Sequence, residues 1–253
     1  MPKKDTNLLN SVGLACDVLD ALCELGSAGV TELADEIGCS KSTAHRQLRT
    51  LHSKEYLIKN GGQYQLGLKY IDMATRVRGQ IDNYDVIRKE IESLAEETGE
   101  TAQFATKEHG WVVYLYKTYG KNGVQTSSNV GTREYFHSTS LGKVMMAYMS
   151  NDRVGKIIDR HGLPVKTENT VPDRESLLED LKKIRDRGYA IDDEENVIGL
   201  RCVAAPVIQD NRIMGAVSVS GPSRRMKGDR LNQEIPNVVT RTANIIELNS
   251  KFS

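Results

Sequence analysis

Residues 30–66 read VTELADEIGCSKSTAHRQLRTLHSKEYLIKNGGQYQL, and this stretch leaves the chain few ways to fold. Leu33, Ala34 and Ile37 form the inward side of one short helix, with Thr31 as its expected cap. Gly38-Cys39 makes a tight turn. Ser40 then caps a second helix, because a serine there accepts from a backbone N–H that the helix leaves unpaired. Tyr56-Leu57-Ile58-Lys59 and Gln63-Tyr64-Gln65-Leu66 are β-prone runs around Asn60-Gly61-Gly62, a strong hairpin signal. Helix, turn, helix and hairpin together outline a winged helix-turn-helix, a module that lays its second helix in the DNA major groove.

The second helix divides into two faces. Ala44, Leu48 and Leu51 fall within roughly 60° of one another at about 100° per residue. Ser42, His45, Arg46 and Arg49 lie opposite. Arginine can fork onto guanine, and serine, histidine or lysine can take bases or phosphates. Ser40, Lys41, Ser42 and Thr43 sit at the positive end of the helix dipole, where a phosphate is favoured. Lys59, near the hairpin tip, is placed for backbone phosphate or minor groove. These residues are the expected DNA contacts. The bland alternatives are a salt bridge from Arg46 to Asp35 or Glu36, and a plain surface role for His45.

Charge placement agrees with that outline, although the net charge of the 253-residue chain is zero. Residues 5–38 hold seven acidic side chains and no lysine or arginine. Residues 39–80 hold eight lysines and arginines against two acids, so the positive run starts where the second helix starts. A local positive field is enough for DNA, because each neutralised phosphate releases counterions. Hydrophobic residues make up 39% and charged residues 27%, as in proteins with packed cores. No apolar run approaches the ~20 residues needed to cross a bilayer, and MPKKDTNLLNS has no apolar segment typical of a secretion signal. Cys16, Cys23, Cys39 and Cys202 form no CxxC pair, so reduced thiols in the cytoplasm are expected rather than a disulfide framework or zinc ribbon.

Upstream of the motif, Val12, Ala15, Val18, Leu19, Leu22 and Leu25 make one apolar helical stripe that ends at Gly26. Downstream, Leu68, Ile71, Thr75 and Arg78 fit a linker helix over 68–80. The rest alternates helix and strand. Residues 84–98 are helical, and 101–106, 111–118 and 124–127 are β-prone. Residues 139–150, 152–161 and 173–187 are helical, the last with Asp173 as cap. Strands follow at 200–209 and 212–220, joined by Asp210-Asn211 and broken by Gly221-Pro222. A final helix covers much of 230–250, with Pro236 tolerable only near its start or at a kink. This order suggests an antiparallel sheet with helices outside it.

The stretch from Leu33 to Gly67, closed by Tyr64, Leu66 and Gly67, resembles the DNA-binding head of the IclR family of transcription regulators. GTREYFHSTSLGK at 131–143, GYAIDDEENVIGLRCVAAPV at 188–207 and GAVSVSGP at 215–222 resemble the effector-binding domain of the same family, which is similar to GAF-type sensor folds. The resemblance spans roughly residues 10–250. It implies a winged helix-turn-helix over 1–67, a linker helix over 68–81 and a GAF-like α/β effector domain over 82–253. It also implies a homodimer or homotetramer that binds an operator and responds to a small organic acid or aromatic metabolite, with no cofactor and no membrane contact.

Free N–H groups at a helix N-terminus cradle a carboxylate. Ser140 and Leu141 match positions whose amides hold acid ligands in related regulators. Small residues are common there, and Leu141 departs from the pattern in a way that would favour an apolar or aromatic effector. Asp192, Cys202, Ser218 and Ser220 match positions that line the pocket. Ser218 and Ser220 alternate with Val217 and Val219, so both hydroxyls share one sheet face. Blander roles stay open: Cys202 as a small buried residue, Asp192 in a solvated acidic loop, the serines satisfying backbone, Glu195 bracing the fold and His137 structural. A metal-responsive alternative uses His137, Asp192 and Cys202, a mixed set that suits zinc. No GxSxG or HExxH signature occurs, and no enzyme is expected.

Overall fold

The computed structural model describes residues 8–249. Residues 1–7, on which much of the reading about a secretion signal rests, and residues 250–253 lie outside the described part. The chain divides into two compact units with the boundary between Ile81 and Asp82. No helix among the described residues is long and apolar enough to cross a membrane.

The first unit contains α1 (Asn10–Leu25), α2 (Val30–Glu36), α3 (Lys41–Ser53), β1 (Leu57–Asn60), β2 (Gln63–Leu66) and α4 (Lys69–Arg78). Its core is small. Val18, Leu22, Leu33, Leu48, Leu57 and Tyr64 are all essentially buried, one or two from each element except α4, which buries none. That core reaches only the middle of α1, so Val12 and Leu25, expected on the inward stripe, are exposed. The cap of α2 is Gly29 rather than Thr31, and the Glu32 carboxylate accepts from the Gly29 N–H at 3.4 Å. β1 and β2 pair antiparallel with Asn60 opposite Gln63. Gly61 and Gly62 both have positive φ, the conformation a two-residue hairpin turn demands and glycine adopts without strain. Tyr64 also pairs with Ala28, which ties the hairpin to the loop before α2.

The second unit contains α5 (Tyr84–Thr98), β3 (Thr101–Glu108), β4 (Trp111–Tyr119), β5 (Arg133–Glu134), α6 (Ser140–Ala147) and α7 (Asn151–His161). It continues with α8 (Arg174–Arg187), β6 (Ala190–Asp193), β7 (Leu200–Gln209), β8 (Arg212–Pro222) and α9 (Ile235–Asn249). One antiparallel sheet runs in the order β5-β4-β3-β8-β7-β6. Phe104, Val203, Val217 and Val219 point to the face covered by α5 and α9. Ala105, Ala190, Ala204 and Ala216 belong to the other face, under α6 and α8.

Four details differ from the sequence-based expectations. Residues 124–127 are not a strand; Thr126 and Ser128 instead hold the Lys117 ammonium. Residues 190–193, expected in a loop or undefined, form edge strand β6 on β7. Gly221-Pro222 does not break β8, because Pro222 stands opposite Leu200 at the last rung and the strand simply ends there. A π-helical turn, Arg230–Glu234, runs straight into α9, with the Ile235 N–H bonding the Arg230 carbonyl, so Pro236 sits just after a helix irregularity rather than at a free helix start.

Candidate functional site

Two surfaces concentrate the residues singled out by the sequence. The first is the outer face of α3. Ala44 and Leu48 are fully buried beneath it, and Ser42, His45, Arg46 and Arg49 are exposed. Neither arginine pairs with a carboxylate among the described residues, so the Asp35 or Glu36 bridge is not formed. The Ser40 hydroxyl accepts from the Thr43 N–H at 3.2 Å and shares hydrogen bonds with the hydroxyls of Ser42 (2.9 Å) and Thr43 (2.8 Å). That network fixes the helix start and leaves Lys41 and the first amides facing outward. Gln47 donates to the Ser11 carbonyl at 3.2 Å and anchors the helix to α1. Lys59 is exposed and lies over the Tyr64 ring, 5.1 Å from its centroid, so it rests along the wing.

The second surface is a polar cavity in the second unit. The sheet register builds its floor. Asp192 on β6 stands opposite Cys202 on β7, Cys202 opposite Ser220 on β8, and Ser220 opposite Thr101 on β3. One rung along, Ser218 stands opposite Gln103. Alternation puts all of these side chains on the face away from α5 and α9. Further along the same face the side chains become alanines and α6 covers them. The polar end is left uncovered and meets the N-terminus of α6.

Thr139 caps that helix by accepting from the Gly142 N–H at 3.0 Å. The Ser140 and Leu141 amides donate to no backbone carbonyl among the described residues. Gly142 is required here, because a Cβ would lie 2.3 Å from the Phe136 carbonyl oxygen. Leu141 lines the cavity and is 1% exposed, packed into the apolar layer with Val144 and Met145. All six expected residues, Ser140, Leu141, Asp192, Cys202, Ser218 and Ser220, line this one cavity.

Hydrogen bonds order the floor. Gln103 Nε2 donates to Ser220 Oγ at 2.7 Å, and Ser220 Oγ donates to Cys202 Sγ at 3.0 Å. Gln103 Oε1 and Ser218 Oγ are buried without a partner among the described residues. Asp192 Oδ1 accepts from the amides of Glu195 (2.8 Å) and Asn196 (3.4 Å), which holds the β6–β7 loop against the cavity. Burial, then the nearby Glu195 carboxylate, pushes the Asp192 pKa up to about 7. Burial also lifts Glu134 above the usual carboxylate range and the Cys202 thiol well above its own, which argues against a reactive thiolate.

Behind the floor lies a buried ion cluster. Lys143 Nζ donates to Glu195 Oε1 at 2.5 Å and to Asp180 Oδ2 at 3.0 Å, and its side chain is 3% exposed. Burial alone would drive Lys143 toward the neutral form. The two carboxylates hold its pKa above the ordinary lysine value.

Residues 77–248 match the family described as "Bacterial transcriptional regulator IclR C-terminal". The chain belongs to the IclR family of transcriptional regulators. Residues 3–69 also match an N-terminal domain described as "HVO_A0261 N-terminal domain". An IclR relative, the probable HTH-type transcriptional regulator ArcR of Halobacterium salinarum, is 31% identical over 98% of this chain and 94% of that protein. The IclR structure from Thermotoga maritima superposes with a TM-score of 0.78 at 28% identity, over 95% of this chain and 98% of that one. An IclR homolog from Microbacterium hydrocarbonoxydans, complexed with 4-hydroxybenzoate, shares the fold. Its TM-score is 0.82 at 20% identity, over 96% of this chain and 100% of that one. The curated relatives are transcriptional regulators and not enzymes.

For this IclR family member the metal alternative is corrected. His137 Nε2–H donates to the Pro164 carbonyl at 3.0 Å, and His137 is not among the residues lining the cavity with Asp192 and Cys202. No group of three His, Cys, Asp or Glu side chains among the described residues is arranged to hold a metal ion. Sequence reasoning missed Gln103, Thr101, Tyr114, Glu134 and Asn196, which also line the cavity. The alternation of Thr101 and Gln103 with Ala102 and Phe104 carried a usable signal for the first two.

Asp192 has a testable pH signature. The unfolded chain releases this proton near pH ~4 and the folded protein near pH 7. The carboxyl therefore favours folding in the acid range, and that contribution is lost as pH rises through 7. Asp192→Asn mimics the protonated state and is expected to be more stable than wild type at pH 8, by on the order of 3 kcal/mol. The gap should close toward pH 5. Urea denaturation across that range checks it, and a gap that is constant with pH would contradict the assignment.

Proposed function

We propose that this chain is a ligand-responsive transcription regulator. In this reading residues 1–67 are the DNA-binding head, 68–81 a linker helix and 82–253 the effector domain. The outer face of α3 enters the major groove, where Arg46 and Arg49 reach base edges or phosphates. Ser40 sets the helix start; Lys41, Ser42, Thr43 and His45 extend the contact, and Lys59 reaches the adjacent backbone from the wing. A small organic acid or aromatic metabolite occupies the cavity, with its carboxylate on the Ser140 and Leu141 amides and the remainder against Asp192, Cys202, Ser218 and Ser220. Ligand binding shifts the population of DNA-competent molecules.

The working form is a homodimer or homotetramer. Leu68, Ile71 and Val77 on and beside α4, and Leu8, Leu9 and Val12 around the start of α1, are exposed apolar side chains in the first unit. Such surfaces are covered in a stable assembly. Two heads would read half-sites one or more helical turns apart.

The observation that carries this reading is the convergence of six residues, spread from Ser140 to Ser220 in sequence, on a single polar cavity in a protein whose head presents two exposed arginines that pair with no carboxylate among the described residues. Footprinting of the DNA upstream of the chain's own gene tests it. Protection of a pseudo-palindromic site at modest salt, altered by a metabolite that also raises the melting temperature, is the expected result. A protein that protects no sequence there would contradict the proposal.

A further inference from the structure

The cavity is furnished for one kind of small acid. Of the residues lining it, nine carry hydroxyls, two carboxamides and two carboxyls, against three aliphatic side chains. Tyr114 supplies its one aromatic ring among the described residues. No lysine, arginine or histidine lines it. Lys117 stands behind the wall, donating to Thr126 Oγ1 (2.7 Å), Ser128 O (2.6 Å) and Ser128 Oγ (3.0 Å). Lys143 is engaged by Glu195 and Asp180, and Lys166 lies over the Tyr135 ring.

We propose that the effector is a monocarboxylic acid whose carbon chain carries several hydroxyl groups, of the aldonic or ketoaldonic type; this rests on the effector reading above. The two free amides of α6 offer a place for one carboxylate. A second anionic group, such as a phosphate ester or another carboxylate, would meet the Asp192 and Glu134 carboxyls on the lining itself, whereas the lysines that face those carboxyls, Lys143 and Lys166, stand outside it. The rest of the cavity asks for hydroxyls. Among the described residues Gln103 Oε1 is a buried acceptor with no donor, and Ser218 Oγ is a fully buried hydroxyl with no partner. Asp192 and Glu134 accept from any hydroxyl presented to them. A hydroxylated chain both donates and accepts at each carbon, and supplies the partners that Gln103 Oε1 and Ser218 Oγ lack among the described residues. An alkyl chain or a benzene ring would leave Gln103 Oε1 and Ser218 Oγ unpaired, at a cost in affinity on the order of tenfold for each.

Thermal-shift and calorimetric titration of the full chain test the proposal. The probes are D-gluconate, D-galactonate, D-xylonate and 2-keto-D-gluconate, set against 6-phospho-D-gluconate, hexanoate, 4-hydroxybenzoate and D-glucitol. At least one of the first four is expected to raise the melting temperature by about 5 °C at saturating concentration, and none of the second four should do so. Gln103→Leu and Ser218→Ala should each weaken the binding aldonate about tenfold. Hexanoate or 4-hydroxybenzoate acting where the aldonates do not overturns the class and leaves the effector reading standing. Silence from the whole panel also overturns the class, and the effector reading is then judged by its own footprinting assay.

Discussion

Reversing the charge at Arg46 is expected to lower operator affinity by on the order of 100-fold without unfolding the head. The guanidinium is exposed on α3 and carries no ion pair among the described residues, so its removal breaks nothing inside the protein. Its loss on the DNA side forfeits a contact of roughly 1–3 kcal/mol, and glutamate adds repulsion from the phosphates. Arg46→Ala should weaken binding by about tenfold or more. Wild-type protein would first select its site from a random duplex library. Fluorescence anisotropy on that site then compares the variants, with melting curves as the control for folding. Unchanged affinity in Arg46→Glu would mean that α3 does not face DNA. If the residue touches only phosphate, the loss should be uniform across site variants and should flatten the salt dependence.

Lys143→Met is expected to destabilise the second unit by about 3–5 kcal/mol, or roughly 10 °C in melting temperature. The substitution leaves Glu195 and Asp180 facing each other without their shared cation. Glu195 is the more costly of the two, because burial already pushes its pKa above the usual range although Lys143 pulls it down. Without Lys143 the folded protein would hold that proton to higher pH than the unfolded chain. The deficit should therefore be largest in alkaline buffer and shrink on acidification. Adding Glu195→Gln and Asp180→Asn to the variant should recover much of the loss. A pH-independent deficit, or no recovery, would show that the lysine acts only by filling space. The same cluster joins α6, α8 and the β6–β7 loop, so effector affinity should fall together with stability.

The head was legible in the sequence because its signals are local. The Ser40 cap, the Ala44–Leu48 stripe and the Gly61-Gly62 turn each depend on neighbours a few residues away. Val12 and Leu25 misled because periodicity marks an apolar stripe without saying how far the core extends along it. In the second unit the family motifs led to Ser140, Asp192, Cys202 and Ser218, and the register explains why they meet. Asp192 in an acidic run read equally well as a solvated loop; only pairing across the sheet edge to Cys202 buries it. Residues 124–127 have strand-forming side chains but no partner strand, and pairing is a property of the fold rather than of the segment. Nothing local in the sequence marks the role of Lys143. A lysine in an otherwise apolar helix is unusual, yet its two partners lie 37 and 52 residues away.

Along β8 the side chains alternate between cavity floor and packed layer, with Ser218 and Ser220 on one side and Val217 and Val219 on the other. Chemical taste and structural integrity are thus written on opposite sides of the same ribbon. Substitutions on the serine side can retune what the protein recognises while the valine side keeps the sheet glued to its helices. A single inserted residue would do the reverse, turning the ribbon over and losing both properties together.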